Sequence, residues 1–115
     1  MIIGKHLLVN IKNIRDKDKL KFLANIKPLF LEIIDVFKLN VVNWCSKQFK
    51  PYGVTLLYLL SESHLSCHTF VLEGILSMDL FTCNLEQEID QGELCKILRS
   101  FFDEDIVVEI DLILR

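Results

Sequence analysis

The sequence predicts an α+β fold, a two-layer sandwich in which a mainly antiparallel sheet carries two main helices on one face. Three observations lead there. The apolar run Val54 to Leu60 has the length and residue types of a buried strand, and two more strand-like runs follow it, Leu65 to Val71 and Ile75 to Cys83. The apolar period changes to that of a helix twice, after Lys19 and after Asn84. The order strand, helix, strand, three strands, helix, strand links neighbours by short turns, which suits antiparallel pairing.

Taken in order, Lys5 to Ile11 reads as a first strand, with Leu7, Val9 and Ile11 on one face and His6, Leu8 and Asn10 on the other. Asn13 to Asp18 is polar and turn-like. From Lys19 the stripe Leu20, Leu23, Ile26 (or Lys27), Phe30, Ile33, Ile34, Phe37 marks a helix, and Pro28 predicts a break or kink within it. The firmest helical stretch is expected from about Pro28 to Phe37. Asn40 to Phe49 returns to strand composition, and Lys50-Pro51-Tyr52-Gly53 makes a turn. Glu73-Gly74 is the expected turn between the last two central strands. Asn84, with Gln87 three residues on, predicts a capped helix start, and Leu94, Ile97, Leu98 and Phe101 supply the buried stripe beyond it. Gly92 weakens that helix locally. Ile106 to Leu114 alternates as a final strand.

Residues 1–115 are expected to form a single domain. Hydrophobic residues make up 51% of the chain and the mean hydropathy is +0.36, more apolar material than so small a domain hides alone. A homodimer covering one sheet face is therefore expected. The net charge of −3 gives no electrostatic reason to bind nucleic acid. The window from Leu20 to Val42 carries too many charges to cross a membrane, and the N-terminus does not read as a signal peptide. Four cysteines at 45, 67, 83 and 95, without a Cys-x-x-Cys unit, fit free thiols in a cytoplasmic setting.

Between the central strands the chain concentrates hydroxyls, imidazoles and a thiol: Glu62-Ser63-His64-Leu65-Ser66, Cys67-His68-Thr69, and Asp79-Leu80-Phe81-Thr82-Cys83. With Lys47-Gln48-Phe49-Lys50-Pro51 and Gly53-Val54-Thr55 upstream, this block resembles the small prokaryotic class of S-adenosylmethionine decarboxylase, whose members make a pyruvoyl cofactor by cutting themselves. The resemblance spans nearly the whole chain.

It implies a role for each matching position. The Ser63 hydroxyl would attack the Glu62 carbonyl, giving an ester; β-elimination and hydrolysis would then leave chains of residues 1–62 and 63–115, the second starting with a pyruvoyl group. That carbonyl would form a Schiff base with the substrate amine. His68 would be the base of self-processing, Thr55 a hydrogen-bonding partner in the same steps, and Cys83 the proton donor in decarboxylation. Phe49, Phe70 and Glu73 would face the substrate. The product would feed polyamine synthesis. Cys45, Cys67 and Cys95 read as small hydrophobes.

One departure bears on substrate. Phe70-Val71-Leu72 stands where the family reads Trp-Pro-Glu, and Leu72 cannot accept the hydrogen bonds of ribose hydroxyls. Either Glu73 substitutes, or the substrate lacks ribose, as in relatives that act on arginine or ornithine. A non-catalytic regulatory homologue is a third reading. A zinc site built from His64, Cys67, His68 and Cys83 is disfavoured, because residues 64 and 68 on a strand point opposite to 67. No metal is expected.

Overall fold

A computed structural model describes residues 1–115. The elements are β1 (Lys5–Lys12), α1 (Asp18–Lys21), α2 (Leu23–Val36), β2 (Val41–Gln48), β3 (Val54–Leu60), β4 (His64–Phe70), β5 (Ile75–Thr82), α3 (Gln91–Phe101) and β6 (Val107–Leu114). The strands form one sheet in the order β2-β3-β4-β5-β1-β6, with every neighbouring pair antiparallel. The first strand is thus inserted between the fifth and sixth, joining the two ends of the chain to its middle. No helix is long and apolar enough to cross a membrane.

Period-two alternation decides which side of each strand is buried. Leu7, Val9 and Ile11 of β1, Val54, Leu56, Tyr58 and Leu60 of β3, and Leu76, Met78 and Leu80 of β5 all lie in the core. They pack with Ile26, Leu29, Phe30 and Ile33 of α2 and Leu94, Ile97 and Leu98 of α3 in one continuous cluster. The alternate residues look out from the opposite, open face. There Leu8, Leu57, Leu59 and Ile113 are substantially exposed. All eight residues of the edge strand β2 are exposed as well.

Two helix boundaries differ from those expected. The break falls at Phe22, whose backbone is extended, and α2 then runs through Pro28. The cause is a side chain from β2: the Gln48 amide accepts from the Leu23 N–H at 2.8 Å and donates to the Lys21 carbonyl at 2.9 Å. It satisfies the groups left unpaired on both sides of the break. Pro28 sits far enough inside α2 to cost a backbone bond, yet packing of the flanking Ile26, Leu29 and Phe30 holds the helix.

The second difference is the start of α3, which is at Gln91 rather than Asn84. Asp90 is the N-cap, its side chain accepting from the Glu93 N–H at 3.1 Å. Asn84 to Gln87 is instead a turn closed by the Gln87 N–H on the Asn84 carbonyl at 3.1 Å. The Gln87 side chain donates to the Phe37 carbonyl at 2.6 Å, so the residue expected in a capping box caps the C-terminal end of α2. Gly74 closes the β4–β5 turn as expected, with φ of +66°.

Candidate active site

The Glu62–Ser63 bond lies in a two-residue hairpin. Leu59 pairs with His64, so Leu60 faces Ser63 and only Ser61 and Glu62 form the loop. The hairpin is fastened by the Leu60 N–H donating to the Ser63 carbonyl at 2.9 Å. The Ser63 hydroxyl oxygen accepts from the Cys83 backbone N–H at 3.2 Å. Serine oxygen and carbonyl are both tied down, whereas Ser61 and Glu62 on the other side of the bond are exposed. The Asn40 amide donates to the Ser61 hydroxyl at 2.6 Å.

A cavity of about 210 Å³ opens beside this loop, lined by Lys38, Asn40, Glu62, Ser63, Thr82 and Gln87 among others. Its walls come from the end of α2, the β3–β4 hairpin and the turn after β5. Lys38 adopts φ of +55°, and the Leu39 N–H reaches back to the Ile34 carbonyl at 2.9 Å, which ends α2 and turns the chain toward the hairpin.

His68 is elsewhere. It faces Thr55 across the β3–β4 ladder, and the Thr55 hydroxyl lies 3.0 Å from its Nδ1. The pair is on the open face, with His68 exposed above a shallow depression that Ser66, Ser77 and Asp79 also line. Five residue steps along the strand lead from Ser63 to His68, roughly 16 Å at about 3.3 Å per residue. The expected site residues therefore form two groups in one protomer: Ser63 with Glu62 and Cys83 at one end of the central strands, and His68 with Thr55 toward the other.

The aromatic positions go with the second group. Phe49 follows β2, where its N–H donates to the Gly53 carbonyl at 2.8 Å, and Phe70 ends β4. The Thr69 hydroxyl accepts from the Val54 N–H at 2.9 Å, which ties this end of β4 to the Gly53 turn. Both rings are about half exposed. Glu73 is exposed in the β4–β5 turn, and Leu72 beside it is 70% exposed, its carbonyl accepting from the Lys17 ammonium at 2.7 Å.

Sequence reasoning passed over a polar cluster on the open face. His6 of β1 and His64 of β4 both pair with Phe81 of β5, so the two imidazoles flank that ring. Asp79, two residues back on the same face, reaches both. Its Oδ2 lies 2.7 Å from His6 Nε2 and 2.9 Å from His64 Nε2, and its Oδ1 accepts from the Ser66 hydroxyl directly opposite. Partial burial pushes the Asp79 carboxyl up, but the bonds from Ser66, His6 and His64 outweigh it and hold its pKa below 3.8. The Phe81 ring stacks edge-on to His6 at 5.5 Å and carries the Arg115 guanidinium at 4.8 Å.

If a cation bound to this chain, His6, His64 and Asp79 would be the ligand set, since their ligand atoms lie within 4.8 Å of one another. Contacts of 2.7 and 2.9 Å are hydrogen-bond lengths; ligands about 2.0 Å from a tetrahedral zinc stand farther apart. The set weighed from sequence does not converge. Cys67 is fully buried on the helix side, where burial pushes its thiol up to about 12, while His64 and His68 are on the other face. All four cysteines are free.

The family model described as S-adenosylmethionine decarboxylase matches residues 5–113. The chain belongs to this family. Among its relatives, the S-adenosylmethionine decarboxylase proenzyme of Archaeoglobus fulgidus is 31% identical over 92 residues, 80% of this chain and 81% of that one. Proenzyme 2 of Bacillus cereus is 36% identical over 98 residues, covering 84% of this chain and 79% of its own. The crystal structure of the adenosylmethionine decarboxylase from Aquifex aeolicus superposes with a TM-score of 0.76 over 96% of this chain and 89% of that one. At 22% identity, that likeness speaks for the shared fold.

Proposed function

We propose that the chain is a self-processing, pyruvoyl-dependent decarboxylase that acts on S-adenosylmethionine and matures by cleavage between Glu62 and Ser63. The observation that carries this is the Ser63 hydroxyl, held by the Cys83 N–H at the mouth of a polar cavity while the preceding residue stays exposed. An oxygen fixed next to a free carbonyl suits an amide-to-ester shift, in which Ser63 Oγ bonds to the Glu62 carbonyl carbon and the Ser63 nitrogen leaves it. Loss of the Ser63 α-proton then expels residues 1–62 as a carboxylate. The residual amine leaves as ammonia when water adds, so the second chain begins with a ketone. That group, when formed, supplies an electron-withdrawing carbonyl for loss of carbon dioxide.

The protein's own residues have separable tasks. The Cys83 N–H orients the serine oxygen and later lies against the group derived from it. Cys83 stands one residue past β5, and its thiol returns a proton to the substrate carbon. His68, oriented by Thr55, removes the α-proton.

For His68 to reach Ser63, a second copy is needed. Stacking the open faces of two protomers about a two-fold axis that runs across the strands reverses one strand direction against the other, and in that arrangement the Ser63 end of one copy lies over the His68 end of its partner. The exposed Leu8, Leu57, Leu59 and Ile113 supply the apolar surface such a contact buries. Each dimer then has two sites, with Phe49 and Phe70 of one copy facing Ser63 and Cys83 of the other.

Leu72 favours one second reading, decarboxylation of arginine or ornithine by the same machinery. A site that binds ribose hydroxyls keeps an acceptor, and a leucine provides none. Carbon dioxide release from labelled S-adenosylmethionine, arginine and ornithine tests both readings on cleaved protein. Turnover of S-adenosylmethionine well above the amino acids is expected. Turnover of an amino acid alone establishes the second reading, and turnover of none refutes both.

A further inference from the structure

We propose that Asp79, acting through His64, is a positioning residue for cleavage at Glu62–Ser63. The proposal rests on the self-processing reading above and extends it to side chains outside the reacting group. Ser63 is covalently joined to His64, and His64 is the first residue of β4. Its ring is gripped at Nε2 by Asp79 at 2.9 Å. Asp79 is in turn fixed at its other oxygen by Ser66 and shared with His6 at 2.7 Å. One carboxylate thereby ties together β1, β4 and β5 at the end of the sheet where the hairpin emerges.

Cys83, whose N–H holds the serine oxygen, is on the same segment as Asp79, four residues on. The oxygen to be activated and the residue after it are therefore anchored to one stretch of chain, Asp79 to Cys83. Rotation about the Ser63 backbone moves the hydroxyl relative to the Glu62 carbonyl, and the Asp79–His64 bond and the Leu60 bond to the Ser63 carbonyl together hold the peptide unit that follows Ser63 against it. A small misplacement of a nucleophile costs rate far out of proportion to its cost in stability. His6 and His64 meet edge to face at 5.9 Å and Phe81 stacks against both, so the clamp has little room to relax.

The test compares His64→Gln, whose Nε2 places a donor close to where the imidazole had one, with His64→Phe, which keeps the ring and loses the donor. Freshly refolded full-length protein is followed by intact mass for cleavage and by thermal melting for folding. The Gln variant should cleave within a few-fold of the wild-type rate, and the Phe variant at least tenfold more slowly at a similar melting temperature. Equal rates for Phe and wild type, or a loss shared equally by Gln and Phe, overturn the proposal while leaving self-processing intact. If His64→Phe fails to fold, Asp79→Asn, which keeps the shape and one acceptor but not the charge, takes its place: tenfold slowing supports the proposal and an unchanged rate overturns it. Wild-type protein that never cleaves instead refutes the reading on which the proposal rests.

Discussion

Co-expressing two inactivated chains, one Ser63→Ala and the other His68→Ala, distinguishes a site built within one protomer from a site shared by two. The five residue steps from Ser63 to His68 span about 16 Å, whereas direct proton transfer needs about 3 Å between heavy atoms. Neither variant alone should be cut, because each dimer lacks one of the two groups at both sites. Random pairing makes about half of the dimers mixed, and each mixed dimer holds one complete site, with Ser63 from the His68→Ala chain and His68 from the other. About half of the His68→Ala chains, and none of the Ser63→Ala chains, should be cleaved. Intact-mass spectrometry reads both fractions, since the two substitutions differ in mass. No cleaved His68→Ala chain in the mixture, with mixed dimers verified by differential tags, would refute the shared-site reasoning.

Three further outcomes follow from the packing and charge of the protomer. Gly74→Ala should destabilise the chain by about 1–3 kcal/mol in urea titrations, since φ is +66° and an added Cβ would meet the Ile14 carbonyl oxygen at 2.6 Å. Because the folded pKa of Asp79 lies below its ordinary 3.8, its contribution is present above that value and is lost as pH falls through the lower, folded pKa. Asp79→Asn should therefore flatten the acid limb of melting temperature against pH; an unaltered limb counts against the network. The Cys67 thiol, fully buried and pushed up to about 12, should resist alkylation in native protein and react on unfolding. Rapid native labelling at Cys67 would contradict the placement of β4.

Much of the sheet was legible because alternation is a direct print of burial. Leu7, Val9 and Ile11, or Val54, Leu56 and Leu60, can satisfy only one face, and each was buried as its pattern required. Gly74 announced its turn for the equally local reason that few other residues take positive φ.

What escaped depended on partners distant in sequence. The break at Phe22 is set by Gln48, and Pro28, the nearest local punctuation, drew the expected boundary to the wrong residue. The start of α3 did carry a local signal, Asp90 with Glu93 three residues later, but Asn84 and Gln87 offered a competing one earlier in the chain.

The site divides along the same line. Resemblance supplied Ser63, Cys83, Thr55 and His68 as a list, and the strand register shows that the list comes in two halves. His6 and Asp79 are 73 residues apart and meet only because β1 is inserted beside β5. Polar residues on alternate positions of β1, β4 and β5 were the available trace of that cluster, and without the strand order they could not be connected.

The most direct measurement is the intact mass and terminal chemistry of purified wild-type protein after prolonged incubation. The account predicts two chains, residues 1–62 and a remainder beginning at position 63 that lacks a free terminal amine and reacts with carbonyl reagents. A single polypeptide of unchanged full-length mass would contradict it.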